Sequence, residues 1–105
     1  MDEVSFAASA ILELYPSSES GREQPISFPN RPKHSAEGDH DYFMGEITST
    51  ERRELWPGES ATVHVVVVAG SSQIERIRSG SKWLVFGGPS NLIGEIRDVA
   101  WPKGL

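Results

Sequence analysis

Between Val4 and Tyr15 the chain alternates apolar and polar side chains almost without a break. Val4, Phe6, Ala8, Ala10, Leu12 and Leu14 fall on one face, with Ser5, Ser9 and Glu13 on the other. A period of two belongs to a half-buried β-strand, because successive side chains point to opposite sides of the pleat. A helical stripe at i, i+3, i+4 fits these positions less well. Pro16 and the polar run Ser17-Ser18-Glu19-Ser20-Gly21 then end the element.

A second strand is read at Ala61 to Ala69. Its first half alternates around Thr62 and His64, and its second half is apolar on both faces. That change of pattern is expected where a strand enters the core of a closed barrel or sandwich. The turn Trp56-Pro57-Gly58-Glu59 precedes it, with proline presetting φ and glycine free to take a positive one. Tyr42 to Thr48 reads as a strand. Lys82 to Phe86 and Leu92 to Val99 read as a hairpin around Gly87-Gly88-Pro89-Ser90-Asn91. Thr50 to Leu55 is either one helical turn or a polar connection, and Ile74 with Ile77 suits a short irregular turn. From Gly21 to Asp41 large apolar residues are scarce, and Pro25, Pro29 and Pro32 each remove a ladder donor. Any strand there is expected at an edge or a bulge, in competition with a mobile loop. Short strands separated by turns, with no long helix, predict an antiparallel barrel or sandwich.

At 105 residues the chain is expected to form one domain, residues 1–105, with a core from about position 4 to 101. There is no cysteine, which excludes disulfides and thiolate metal sites. The N-terminus, Met1-Asp2-Glu3-Val4, is acidic and shows no basic leader. The longest apolar run, Val65 to Ala69, is too short for a bilayer span. The expectation is a cytoplasmic protein that does not engage membranes. A net charge of −5 disfavours a large phosphate-neutralising surface, although Arg22, Arg31 and Lys33 lie in one stretch and Arg52 and Arg53 in another.

Several elements recur in a particular order. They are Gly21-Arg22…Pro25, Arg31-Pro32, Met44-Gly45-Glu46-Ile47, Trp56-Pro57-Gly58-Glu59 before the Val-rich strand, Gly87-Gly88-Pro89-Ser90, and Gly94-Glu95-Ile96. In that order the chain, from about Ser5 to Val99, resembles the C-terminal β-barrel domain of bacterial elongation factor Tu, here without the GTPase that precedes it. The resemblance implies an all-β, six-stranded antiparallel barrel. In that family the barrel packs on the GTPase domain, contacts the T-stem of aminoacyl-tRNA and is touched by the nucleotide-exchange factor. This chain departs from the pattern at Pro89, where the family has arginine, and at Leu92-Ile93-Gly94, where it has Gly-Ala-Gly. It departs again at Asp39-His40-Asp41-Tyr42, which stands in place of an Arg-Thr-Thr-Asp run. An arginine replaced by aspartate exchanges attraction to phosphate for repulsion. The retained Gly21, Arg22, Pro25, Gly45, Pro57, Gly58, Gly88 and Gly94 are mostly turn formers.

No phosphate-cradling Gly-x-x-x-x-Gly-Lys-Ser/Thr motif is present, so nucleotide hydrolysis is not expected. Asp39-His40-Asp41, with His34 and Glu37, is the one group with metal-ligand chemistry. Adjacent strand residues point to opposite faces, however, and a solvated acidic loop is the plainer reading. His64 is expected on the barrel exterior beside Thr62, with no nucleophile to serve. Trp83 is expected in the core. Trp56 and Trp101 either brace the barrel ends or face a partner.

The sequence therefore predicts a binding module with no catalytic residues, no metal and no cofactor. Its expected partner is a protein, and the candidate contact residues are Arg22, Arg31, Lys33, Trp56, Gly88 and Trp101. One concrete form is an imitator of the elongation-factor barrel that competes for, or neutralises, a ligand of that factor. The alternative is a tRNA- or RNA-binding module that keeps part of the T-stem surface through Arg22, Arg31 and Lys33. A small hydrolase or metal enzyme requires His34 or His40 to converge with carboxylates in a cleft.

Overall fold

The alternation at the N-terminus becomes strand β1, Glu3–Leu14, in a computed structural model that describes residues 2–105. Phe6, Ala8, Ala10, Leu12 and Leu14 are buried, while Ser5, Ala7 and Ser9 are exposed. After Pro16 the polar run forms a single helical turn, α1 (Ser17–Ser20). Two short strands follow, β2 (Ile26–Ser27) and β3 (Lys33–Ala36), and then β4 (Phe43–Thr48) and β5 (Glu54–Leu55). The Val-rich segment is β6 (Ser60–Gly70), and helix α2 (Ser71–Arg78) leads to the hairpin of β7 (Trp83–Gly87) and β8 (Asn91–Arg97).

Six of the strands close into a barrel in the order β1-β6-β4-β3-β7-β8, and every neighbouring pair is antiparallel. The fold is all-β with a six-stranded antiparallel barrel: of the barrel and sandwich that the turn and strand pattern left open, it is the barrel, with the strand number the resemblance implied. β2 and β5 form a separate two-stranded ribbon. Closure between β8 and β1 depends on Gly94, which lies opposite Leu14. A β-carbon there would collide with the backbone carbonyl of Glu13, so only glycine lets the two strands meet. Among the described residues no helix is long and apolar enough to cross a membrane.

Three expectations need correction. The proline-rich stretch does hold an edge pairing, β2, but β3 is no edge: it lies between β4 and β7 inside the barrel. It escapes the ladder problem because Pro25, Pro29 and Pro32 all precede Lys33, outside the paired residues. Ile74 and Ile77 belong to a regular two-turn helix, not an irregular turn. Both are buried, and the Gln73 side chain accepts the Gly70 amide at 2.8 Å to satisfy the helix start. Finally, β6 keeps strict alternation to its end. Val63, Val65 and Val67 are buried, but Val66 and Val68 face outward instead of entering the core.

The barrel interior carries one polar device. His34 is wholly buried. The Trp83 indole N–H donates to its Nδ1 at 2.9 Å, and its Nε2 lies 3.2 Å from the Gly45 carbonyl. Nδ1 must accept, so the ring is neutral and carries its proton on Nε2. Burial pushes its pKa down to about 4, against a smaller upward pull from the Gly45 carbonyl. The ring stacks on Phe43 at 5.3 Å, and Trp83 meets Phe6 and Phe43 at 6.4 and 5.9 Å. Gly45 makes room for this cluster: a β-carbon there would lie 2.5 Å from Val67 Cγ1 and 2.8 Å from His34 Nε2.

Candidate interaction surface

Because side chains alternate along each strand, the outer residues of adjacent strands line up in rows across the barrel. One row runs Phe86, Lys33, Met44, Val68, Ser5, and the next runs Glu46, Val66, Ala7. The result is an apolar surface on the outside of β3, β4, β6 and β1. Met44 is 55% exposed, Val66 45%, Val68 46% and Tyr42 44%. Three large apolar residues on strands, with Tyr42 just ahead of β4, form a patch of the kind that marks a contact surface.

A shallow groove of about 350 Å³ lies on this face, lined by Arg31, Met44, Gly45, Glu46, Val66 and Val68. Arg31 Nε donates to Glu46 Oε2 at 3.0 Å along one wall. Lys33 Nζ sits 5.3 Å from the centre of the Tyr42 ring, and Tyr42 meets Phe86 edge-on at 5.2 Å. The groove thus offers apolar floor and polar rim. Its one carboxylate is engaged by its one guanidinium.

Of the residues predicted from sequence, Arg31 and Lys33 lie on this face and Arg22 does not. The Arg22 guanidinium donates to the carbonyls of Gln24 and Pro25 at 2.9 and 3.1 Å, folding its own loop. The three cations therefore do not form one basic field. Trp56 is exposed on its turn, where its indole N–H donates to Glu54 at 3.2 Å. Glu59 locks that turn by accepting the Trp56 amide and the Arg52 guanidinium. Those bonds, the backbone one foremost, hold its carboxyl below the usual range. Trp101 braces the barrel: half-buried, it packs on Phe6 at 5.5 Å and Trp83 at 6.1 Å, with Arg78 over its ring. Gly88 sits in the exposed turn between β7 and β8, away from the groove.

His64 faces outward as expected. His34 meets no carboxylate, because it is buried in the core with its nitrogens on Trp83 and the Gly45 carbonyl, and Asp39, beside His40, lies 3.8 Å from Arg76. Among the described residues no three His, Asp or Glu side chains gather as a metal site. Tyr42, Met44, Val66 and Val68 were missed as site residues. For Val66 and Val68 the available signal is the doubly apolar second half of β6, which in sequence reads as core; nothing in the sequence singles out Tyr42 or Met44.

What the fold and this face define is a small closed barrel with a laterally exposed apolar sheet. No protein-family model matches the chain, and a search of curated proteins finds no match.

Proposed function

We propose that this chain is a non-catalytic protein-binding module, resembling the C-terminal barrel of elongation factor Tu, that docks a partner protein on the outer face of β3, β4 and β6. The observation that carries the reading is the pair of adjacent rows that expose Met44 and Val68 in one and Val66 in the next, beside Tyr42 and bordered by Arg31 and Lys33. Apolar side chains left about half exposed on a barrel exterior keep part of their burial free energy unspent, and covering one by a partner is worth roughly 1–2 kcal/mol at about 25 cal/mol per Å². A rigid sheet also loses little conformational entropy on docking. The Arg31–Glu46 pair at the rim would fix orientation more than affinity.

RNA binding is the weaker reading, because Arg22 is spent on its own loop and Arg31 is paired with Glu46. The test is capture from cell extract by the immobilised chain, with and without ribonuclease, beside a Val66→Glu/Val68→Glu variant. Protein capture that survives ribonuclease and is lost in the variant supports the proposal. Capture of RNA alone, or protein capture equal in the variant, overturns it.

A further inference from the structure

β1 is paired with β6 along nearly its whole length, but with β8 only from Ile11 to Leu14. Beyond Ile11 that second ladder reaches Ser9, whose carbonyl accepts the Ala100 amide at 2.9 Å, and there it stops. Within a strand, every second residue directs its N–H and C=O to the same neighbour. Ser5 and Ala7 are in phase with Ser9, so they aim their backbone groups to this side. Among the described residues neither has a backbone partner there. The tail that would have continued the ladder turns inward, with Trp101 against Phe6 and Trp83, and Pro102 has no N–H to give.

Open strand edges are normally blunted by lysine, proline or a bulge. The outward side chains here are Ser5, Ala7 and Ser9, all small, uncharged and exposed. We infer that this edge of β1 is a strand-addition site, where an extended segment of a partner hydrogen-bonds to the N–H and C=O of Ser5 and Ala7. The inference deepens the protein-binding reading and rests on it. β1 is the last strand of the exposed apolar sheet, so an added strand widens that same face.

Charge selects the occupant. Asp2 and Glu3 lie exposed at the open end of the edge, with no ion-pair partner among the described residues. The chain as a whole carries −5. The segment is therefore cationic, with lysine or arginine near Glu3. Ser5 and Ala7 leave room opposite them for β-branched or aromatic side chains. A second copy of this chain brings the same acidic end and the same net charge, and is the poorer fit.

Hydrogen exchange on the full chain is the test, with the heptapeptide Lys-Val-Thr-Val-Thr-Val-Lys as probe and its Glu-ended counterpart as control. In the free protein the amides of Ser5 and Ala7 should exchange about 100-fold faster than those of Phe6 and Ala8, which pair with β6. The Lys-ended peptide should slow Ser5 and Ala7 by about tenfold or more, less so as salt rises, and the Glu-ended one should not. A Ser5→Pro variant should lose that protection yet still capture protein through the Val66 and Val68 face. Slow exchange of Ser5 and Ala7 in the free monomer, or peptide protection confined to the Met44–Val68 face, overturns strand addition while leaving the docking face standing. Protection that appears without peptide and grows with protein concentration assigns the edge to self-pairing and overturns the cationic occupant.

Discussion

Met44 and Gly45 are consecutive residues of β4 with opposite fates. Gly45 faces the barrel interior, pressed between Val67 and His34, in a cluster where aromatic rings stack and the one polar side chain has both its nitrogens engaged. Met44 faces outward, more than half exposed, in a row with Val68. The interior therefore holds a histidine, and the exterior holds methionine and valines. Polarity alone would have exchanged them. What decides is satisfaction: a buried polar group costs little once its hydrogen bonds are made, whereas an exposed apolar side chain costs folding almost nothing. The inner face stabilises the fold, and the outer face stays exposed.

The largest expected break in this contrast is on the inside. Trp83→Ala removes a buried indole and the donor to His34, and should lower unfolding free energy by about 3–5 kcal/mol in a denaturant titration. An equally stable variant would mean that the cluster does not hold the barrel.

Acid should act on the same cluster. His34 has a folded-state pKa of about 4, below the value near 6.5 of an unfolded histidine. Between those pH values the unfolded state binds more protons. Stability is thus fully present above pH 6.5 and falls as pH drops toward 4, by about 3 kcal/mol in all. Denaturant midpoints measured across this range should show the slope, and His34→Gln should flatten it.

Gly45→Ala sits at the boundary between the faces. Its methyl group points inward against Val67 and His34, so a loss of about 1–3 kcal/mol is expected by thermal unfolding. Smallest is the outer face: Val66→Glu should shift stability by no more than about 0.5 kcal/mol.

How much of this was legible depends on which signal each residue carries. β1 could be read because period two runs almost without a break from Val4 to Leu14, interrupted only by Ala7 and Ile11 on the polar face. β3 could not, because Lys33-His34-Ser35-Ala36 has no apolar alternation, and His34 is buried by hydrogen bonds made to residues far along the chain. The hairpin of β7 and β8 followed from Gly87-Gly88-Pro89. The rim of the exposed outer face was visible in part, as Arg31 and Lys33. The apolar members were hidden in plain view, since a run such as Val65-Val66-Val67-Val68 has the same composition whether one face or both are covered. Arg22 and Trp101 read as contact residues because exposure and local bracing share the same residue types. Only the fold separates the two roles.

The central claim is that the outer face of β3, β4 and β6 binds while the inner face folds. Partner capture by the wild-type chain and by Val66→Glu/Val68→Glu, each paired with a denaturant midpoint, tests it most directly. The account predicts capture lost, with stability within about 1 kcal/mol of wild type. Capture retained at full strength, or lost only together with the fold, would contradict it.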